Sequence, residues 1–151
     1  MGKRLRLILL MLFCCAVTLT GCSGSQKSYM DGIYEGKSEI DKNDEGSDTD
    51  NGYGVVTITI KNNTIADCIF LTYESDGTLK DENYGKEGGE IISRDYYNKA
   101  QLAVEACTEY ADLLIQNGNL DEVDAISGAT INYNEFYEAV YNALEQAEKK
   151  D

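Results

Sequence analysis

The segment Asp124-Ala125-Ile126-Ser127-Gly128-Ala129-Thr130 places a hydroxyl nucleophile directly after two small residues and just ahead of a segment with helical periodicity. A phosphate ester on Thr130 would lie at the positive end of that helix, where the first backbone N–H groups lack partners and the dipole favours negative charge. Gly128 can take dihedrals closed to other residues, and the single methyl of Ala129 would let another protein's active site close over the hydroxyl. The stretch reads as a covalent modification site. A plainer reading uses the same residues: Asn132, with Glu135 three positions on, has the form of a helix N-cap and its reciprocal partner, so the segment could be only a turn entering a helix.

Such a loop needs elements to hold it, and the hydrophobic pattern supplies them. Gly32 to Ser38 alternates in character and predicts a first strand. Val56, Ile58 and Ile60 alternate with Thr57 and Thr59, which predicts a half-buried strand over 55–60. Asn62-Asn63 signals a two-residue turn, with Thr64 to Tyr73 as the partner strand of a hairpin, and Ser75 to Thr78 marks a further turn. Asn62-x-Thr64 is formally a glycosylation sequon, for which the turn is a sufficient explanation. Tyr97, Ala100, Val104, Cys107, Ala111 and Leu114 recur at three and four residues, predicting an amphipathic helix from about Tyr96 to Gln116 that stops at Asn117-Gly118. A second helix is expected from about Tyr133 to Lys149, burying Phe136, Val140, Ala143 and Ala147. The expected fold class is α+β: an antiparallel β-sheet with two main helices packed on it and the Thr130 loop before the C-terminal helix.

The first residues carry Lys3, Arg4 and Arg6, an apolar run from Leu7 to about Leu19, and then Leu19-Thr20-Gly21-Cys22. The run is shorter than the roughly 20 residues that span a bilayer, and small residues precede the cysteine, which reads as a signal peptide over 1–21. The last four residues resemble the lipobox of bacterial lipoproteins. That resemblance implies cleavage before Cys22 and lipidation of its thiol; residues 22–30 then read as a short polar tether, and the mature length of about 130 residues fits a single domain, over 31–151. Removing residues 1–21 takes away three positive charges and no negative ones, moving the formal charge from −14 to −17. So acidic a surface repels phosphate backbones and anionic head groups, so nucleic acid is excluded as a partner and membrane attachment falls to the lipid anchor.

The chain has no His, Pro or Trp. Without His there is no Ser-His-Asp or Cys-His hydrolase arrangement and no imidazole for haem or the usual catalytic zinc sets. Redox work would need an added organic cofactor. Cys14 and Cys15 leave with the signal, and Cys68 and Cys107, one on a strand and one on an apolar helix face, are expected as two buried thiols rather than a disulfide. The acidic run from Asp41 to Gly52 has oxygen ligands around Gly46 but lacks the closing bidentate Glu of a calcium loop, which favours a solvated loop.

Asp-x-x-Ser-Gly-Ala-Thr resembles the flavinylation sequence of the FMN-binding domain family, and with the lipoprotein start the chain looks like a small bacterial membrane lipoprotein of the major-membrane-immunogen type. The resemblance implies that FMN is joined through its phosphate to Thr130. Ser127, Gly128 and Ala129 would shape the loop, and Asp124 would belong to the segment a separate flavin transferase recognises. Eleven tyrosines against three phenylalanines offer rings that can stack on an isoalloxazine while their hydroxyls stay wet. Tyr84, in the glycine-rich loop Asn83 to Gly89, and Tyr133, one turn past the motif, are the candidate ring neighbours. The expected function is an extracytoplasmic flavoprotein on the outer face of the cytoplasmic membrane, passing electrons between membrane or extracellular redox partners. No acid, base or nucleophile set beside the motif suggests an enzyme with its own substrate. The alternative is a lipid-anchored binding or surface-antigen domain of the same fold that carries no covalent flavin.

Overall fold

The structure is a computed structural model that describes residues 27–41 and 51–149. The signal peptide and Cys22, and all but the ends of the acidic 41–52 run with its calcium alternative, lie outside the described residues. Three strands, β1 (Gly32–Lys37), β2 (Tyr53–Lys61) and β3 (Thr64–Tyr73), form one antiparallel sheet in the order β1-β2-β3. Helices α1 (Arg94–Asn117) and α2 (Thr130–Ala147) pack on it, α1 over β3 and α2 over β1 and β2. The expected α+β fold, with the motif loop before the last helix, is the fold observed.

The β2–β3 hairpin follows from its residues. Asn62 and Asn63 both have positive φ, 52° and 62°, as a two-residue turn matching the strand twist requires. Asn enters that region more cheaply than other non-glycine residues. The alternation then puts Val56, Ile58 and Ile60 inward, each no more than 1% exposed, against Cys68 and Phe70 of β3. From the helices, Tyr110, Leu114, Phe136 and Val140 complete the core. Phe70, Phe136 and Tyr110 form a continuous aromatic stack, with neighbouring ring centroids 5.1 and 5.3 Å apart.

Helix α1 starts slightly earlier than its apolar spacing predicts, because the Ser93 hydroxyl accepts from the Tyr96 amide and caps the first turn. It stops where expected: Gly118 is left-handed, with φ 66°, and its N–H closes onto the Leu114 carbonyl. Helix α2 starts at Thr130, three residues before the periodicity implied. The edge strand β1 is held from above by α2, whose Asn142 and Gln146 amides donate to the Lys37 and Glu35 carbonyls, each at 2.8 Å. Between those two anchors the backbone of Gly36 runs directly against α2.

The two ends of the domain meet. Tyr29 bridges Glu148, Met30 donates to the Ala147 carbonyl at 2.8 Å, and Lys149 donates to the Ser28 carbonyl at 2.9 Å. Among the described residues no helix is long and apolar enough to cross a membrane.

Cys68 and Cys107 are free and buried. Burial pushes the Cys68 thiol up to about 12, with Asp67 adding to the rise, and burial also raises Cys107. Since the thiolate is the reactive form, neither should react with a thiol reagent at neutral pH until denaturant is added. Labelling of either in the folded protein, read by mass, would contradict their placement.

Candidate functional site

The motif loop is built around one turn and one tyrosine. Gly128 has φ 86°, and a Cβ there would meet nothing within 4 Å, so glycine is needed for its backbone angle and not for space. The Ala129 amide closes onto the Ile126 carbonyl at 3.0 Å. The hydroxyl of Tyr110, reaching from α1, accepts from the Ile126 amide at 2.9 Å and donates to the Ala129 carbonyl at 3.1 Å. Both ends of the turn are thereby fixed to a fully buried core residue. The Ala129 methyl is itself buried at 3% exposure, so a larger side chain there would have to displace core.

Tyr110→Phe keeps the ring and removes both hydrogen bonds. It should cost about 1–3 kcal/mol, the usual penalty for an amide left without its acceptor, here that of Ile126, while the Ala129 carbonyl keeps its bond from the Tyr133 amide. Faster amide exchange over residues 124–129, with exchange in the sheet little changed, is the expected signature. Unaltered exchange in the loop would show that Tyr110 does not hold it.

Thr130 is the first residue of α2, and its side chain is exposed. Ala129 stands at the N-cap and supplies no side-chain acceptor, so the first-turn amides of α2 are left to another group. Asn132 and Glu135 do not form the capping pair that their spacing suggested. The helix starts three residues earlier, and both side chains turn inward, at 5% and 2% exposure. The Asn132 amide donates to the Ala103 carbonyl at 3.1 Å and to the Cys107 sulfur at 3.4 Å, tying α2 to α1.

Beside Thr130 a cavity of about 370 Å³ opens between the starts of the two helices and the end of the sheet. That volume is within the range of small-molecule sites. Gly128, Ala129 and Thr130 form one wall, Tyr84 and Tyr96 lie on its border, and Lys80 and Thr72 line it from the sheet side. The sequence-predicted residues Thr130, Ala129, Gly128 and Tyr84 are therefore brought together. Ser127 and Asp124 are exposed on the adjoining loop and do not line the cavity. Tyr133 is also apart, its ring packed near Tyr110 and Tyr137 with centroids 5.9 and 6.1 Å away.

Tyr84 is placed by the glycine-rich loop in a specific way. Gln101 of α1 donates to the carbonyls of Asp81 and Tyr84 at 3.1 and 2.9 Å. Gly85, at φ 88°, lets the loop press on α1, where a Cβ would come within 2.8 Å of the Ala100 methyl. Burial, with Tyr96 adding, pushes the Tyr84 hydroxyl up to about 12, so it stays a neutral donor.

Sequence reasoning missed the charged group in this cavity. The Lys80 side chain is only 7% exposed, and its ammonium donates to the Asn51 carbonyl and lies 4.0 Å from Glu135 Oε1. It is also 5.3 Å from the Tyr84 ring centroid. Nothing in the local sequence marks it, since Leu79-Lys80-Asp81 follows a turn and reads as solvent-facing; the Tyr73–Leu79 bridge and the Lys80–Thr72 backbone bond, 2.9 Å, hold the segment against β3.

The arrangement defines a small α+β domain with a hydroxyl on the rim of a cavity that Lys80 and Thr72 also line, next to an uncapped helix start. The sequence profile of the FMN-binding domain family matches residues 51–145, and the chain belongs to that family. A crystal structure of a protein from Clostridium perfringens is similar in fold, with a TM-score of 0.56 and 17% identity, over 79% of this chain and 88% of that one. A solution structure of a Clostridium thermocellum protein, 20% identical over 80% of this chain and 94% of that one, overlays with a TM-score of only 0.39. No curated protein matches the chain.

The residues present fit a flavin mononucleotide. The free first-turn amides suit a phosphate, the cavity walls include two phenol rings, and the buried ammonium suits an electron-rich ring edge.

Proposed function

We propose that this FMN-binding domain carries its FMN as a phosphoester on Thr130 and serves as a lipid-anchored electron carrier outside the cytoplasm. The carrying observation is the position of Thr130: an exposed residue at an uncapped helix start, on the wall of a cavity that Lys80 also lines. When bound, FMN supplies reversible one- and two-electron chemistry. The chain supplies the attachment point and the environment.

Attachment is the work of a separate flavin transferase using FAD. The Thr130 oxygen attacks the FMN phosphorus, the pyrophosphate bond of FAD breaks, AMP leaves, and the hydroxyl proton passes to a base of the transferase. The fixed turn below Thr130 holds the attacking oxygen clear of the domain, and its exposure lets the transferase reach it. A covalent bond keeps the cofactor from diffusing away outside the cell. Cys22 provides the anchor, and the electron partners are a membrane or extracellular donor and acceptor. In this reading Ser127 and Asp124 face the transferase and not the flavin, which agrees with their exposure.

Co-expression of the full chain with a flavin transferase in an exporting host tests the proposal. The expected result is one FMN per chain, found by peptide mass on Thr130 and seen as flavin fluorescence in the denatured band. A colourless, unmodified protein beside a transferase that labels a known acceptor would overturn it in favour of a binding or surface-antigen domain.

A further inference from the structure

We propose that the buried pair Lys80–Glu135 couples the redox state of the flavin cavity to a proton that Glu135 exchanges with a second, shallower hollow. The inference rests on the flavin reading given above. Lys80 lines the cavity beside Thr130, whereas Glu135 lines the other hollow, of about 350 Å³, together with Glu39, Asp41 and Glu138. The two side chains, 7% and 2% exposed, face each other at 4.0 Å between these spaces. Neither oxygen of Glu135 has a hydrogen-bond partner among the described residues. Its carboxylate thus lacks the donors that hold a buried carboxylate ionised, and one ammonium at the edge of contact is its counter-charge.

The surrounding groups make the charge on Glu135 easy to change. Burial pushes its carboxyl up to about 7, against the pull of Lys80 and with Asp41 adding to the rise. Glu39 and Glu138 border it on the hollow side. From α1, Cys107 is kept a neutral thiol by its own burial, and Tyr84 is neutral for the same reason. Lys99 and Tyr96 of α1 lie along the cavity. Lys80 and Glu135 thus form a buried charge pair beside the cavity, and around neutral pH Glu135 passes between its charged and neutral forms.

Charge balance then links the two spaces. When an external two-electron donor reduces the bound flavin and one proton enters the ring, the cavity gains one negative charge. That charge favours protonation of Glu135, so a second proton arrives there from the acidic hollow. Two electrons and two protons enter the domain in total. Above the range in which Glu135 is already neutral, the reduced state thus draws an additional proton and the potential falls more steeply with pH.

The test uses the flavin-loaded protein, its flavin counted by absorbance and mass, titrated with dithionite against a reference dye below and above neutral pH. Glu135→Gln, which leaves Lys80 unopposed, should match the wild type below neutrality and stay above it at alkaline pH. Lys80→Met should lie below the wild type at acid pH, with the reduced form disfavoured about tenfold, or about 30 mV for a two-electron couple. Parallel curves for the three proteins would overturn the coupling while leaving the flavin assignment intact. A chain that takes up no flavin would overturn both. A carbon-13 NMR titration of the Glu135 carboxyl in the flavin-free wild type needs neither loading nor a variant. It should give a midpoint near neutrality, and a midpoint in the ordinary glutamate range would sink the inference.

Discussion

Thr130→Val will give a folded protein that carries no covalent flavin. The substitution exchanges a hydroxyl for a methyl on a β-branched frame of the same shape, at an exposed position in the first turn of α2. The residue is exposed, and the turn beneath it is fixed by the Tyr110 hydroxyl. The stability change should therefore stay within about 0.5 kcal/mol, as for surface substitutions generally. Loading, by contrast, should be lost completely, because no attacking oxygen remains at the end of the loop. Thr130→Ser should still load, since it keeps that oxygen. In-gel fluorescence and intact mass decide the matter, with thermal unfolding as the control. Covalent flavin on the valine variant would move the attachment elsewhere, and Ser127 would then be the nearest hydroxyl in the motif.

Gly36→Ala should be strongly destabilising. A Cβ at Gly36 would come 1.9 Å from the Ala139 carbonyl oxygen and 2.6 Å from the Ala143 amide nitrogen. Both are helix backbone atoms, so no rotamer change can clear them. Either β1 or α2 must shift, although Asn142 and Gln146 hold the two together at the carbonyls on each side of Gly36. Separating them also loosens Ala139 and Ala143, which are fully buried. We expect a cost of about 3 kcal/mol, at the upper end for overpacking, and a fall in Tm of about 10 °C. A melting curve that superimposes on the wild type would mean that β1 can ride outward freely. The same clamp predicts that the variant's lost stability appears first at β1, as early amide exchange there.

The fold was readable because its signals are local. The Asn62-Asn63 turn, the alternation of Val56, Ile58 and Ile60, and the Gly118 stop each depend on neighbouring residues. The start of α2 was not, for a related reason. Asn132 and Glu135 have capping spacing, but spacing carries no record of which face points inward, and tertiary contacts with Ala103 and Cys107 claimed Asn132 for the interior. Residue type pointed to the motif loop and to Tyr84, and the fold brings them to one cavity. Lys80 and Tyr110 could not be found that way, since their roles depend on partners distant in the chain: Lys80 meets Glu135, and Tyr110 meets Ile126 and Ala129. Tyr133 shows the converse. Nearness in sequence to Thr130 suggested a place at the cavity, yet the helical turn carries its ring round to the Tyr110 side.

The meeting of the domain's two ends sets a distance. Residues 28–30 are joined to the last turn of α2, while Thr130 begins the first, and an 18-residue helix separates them by about 25 Å. With the proposed anchor at Cys22, the five residues to Lys27 reach at most about 17 Å. On the proposed reading, the domain is moored by the end opposite Thr130, on a leash shorter than the helix that separates the two ends. A redox partner of the kind proposed would then meet the domain at its Thr130 end, the end away from the mooring.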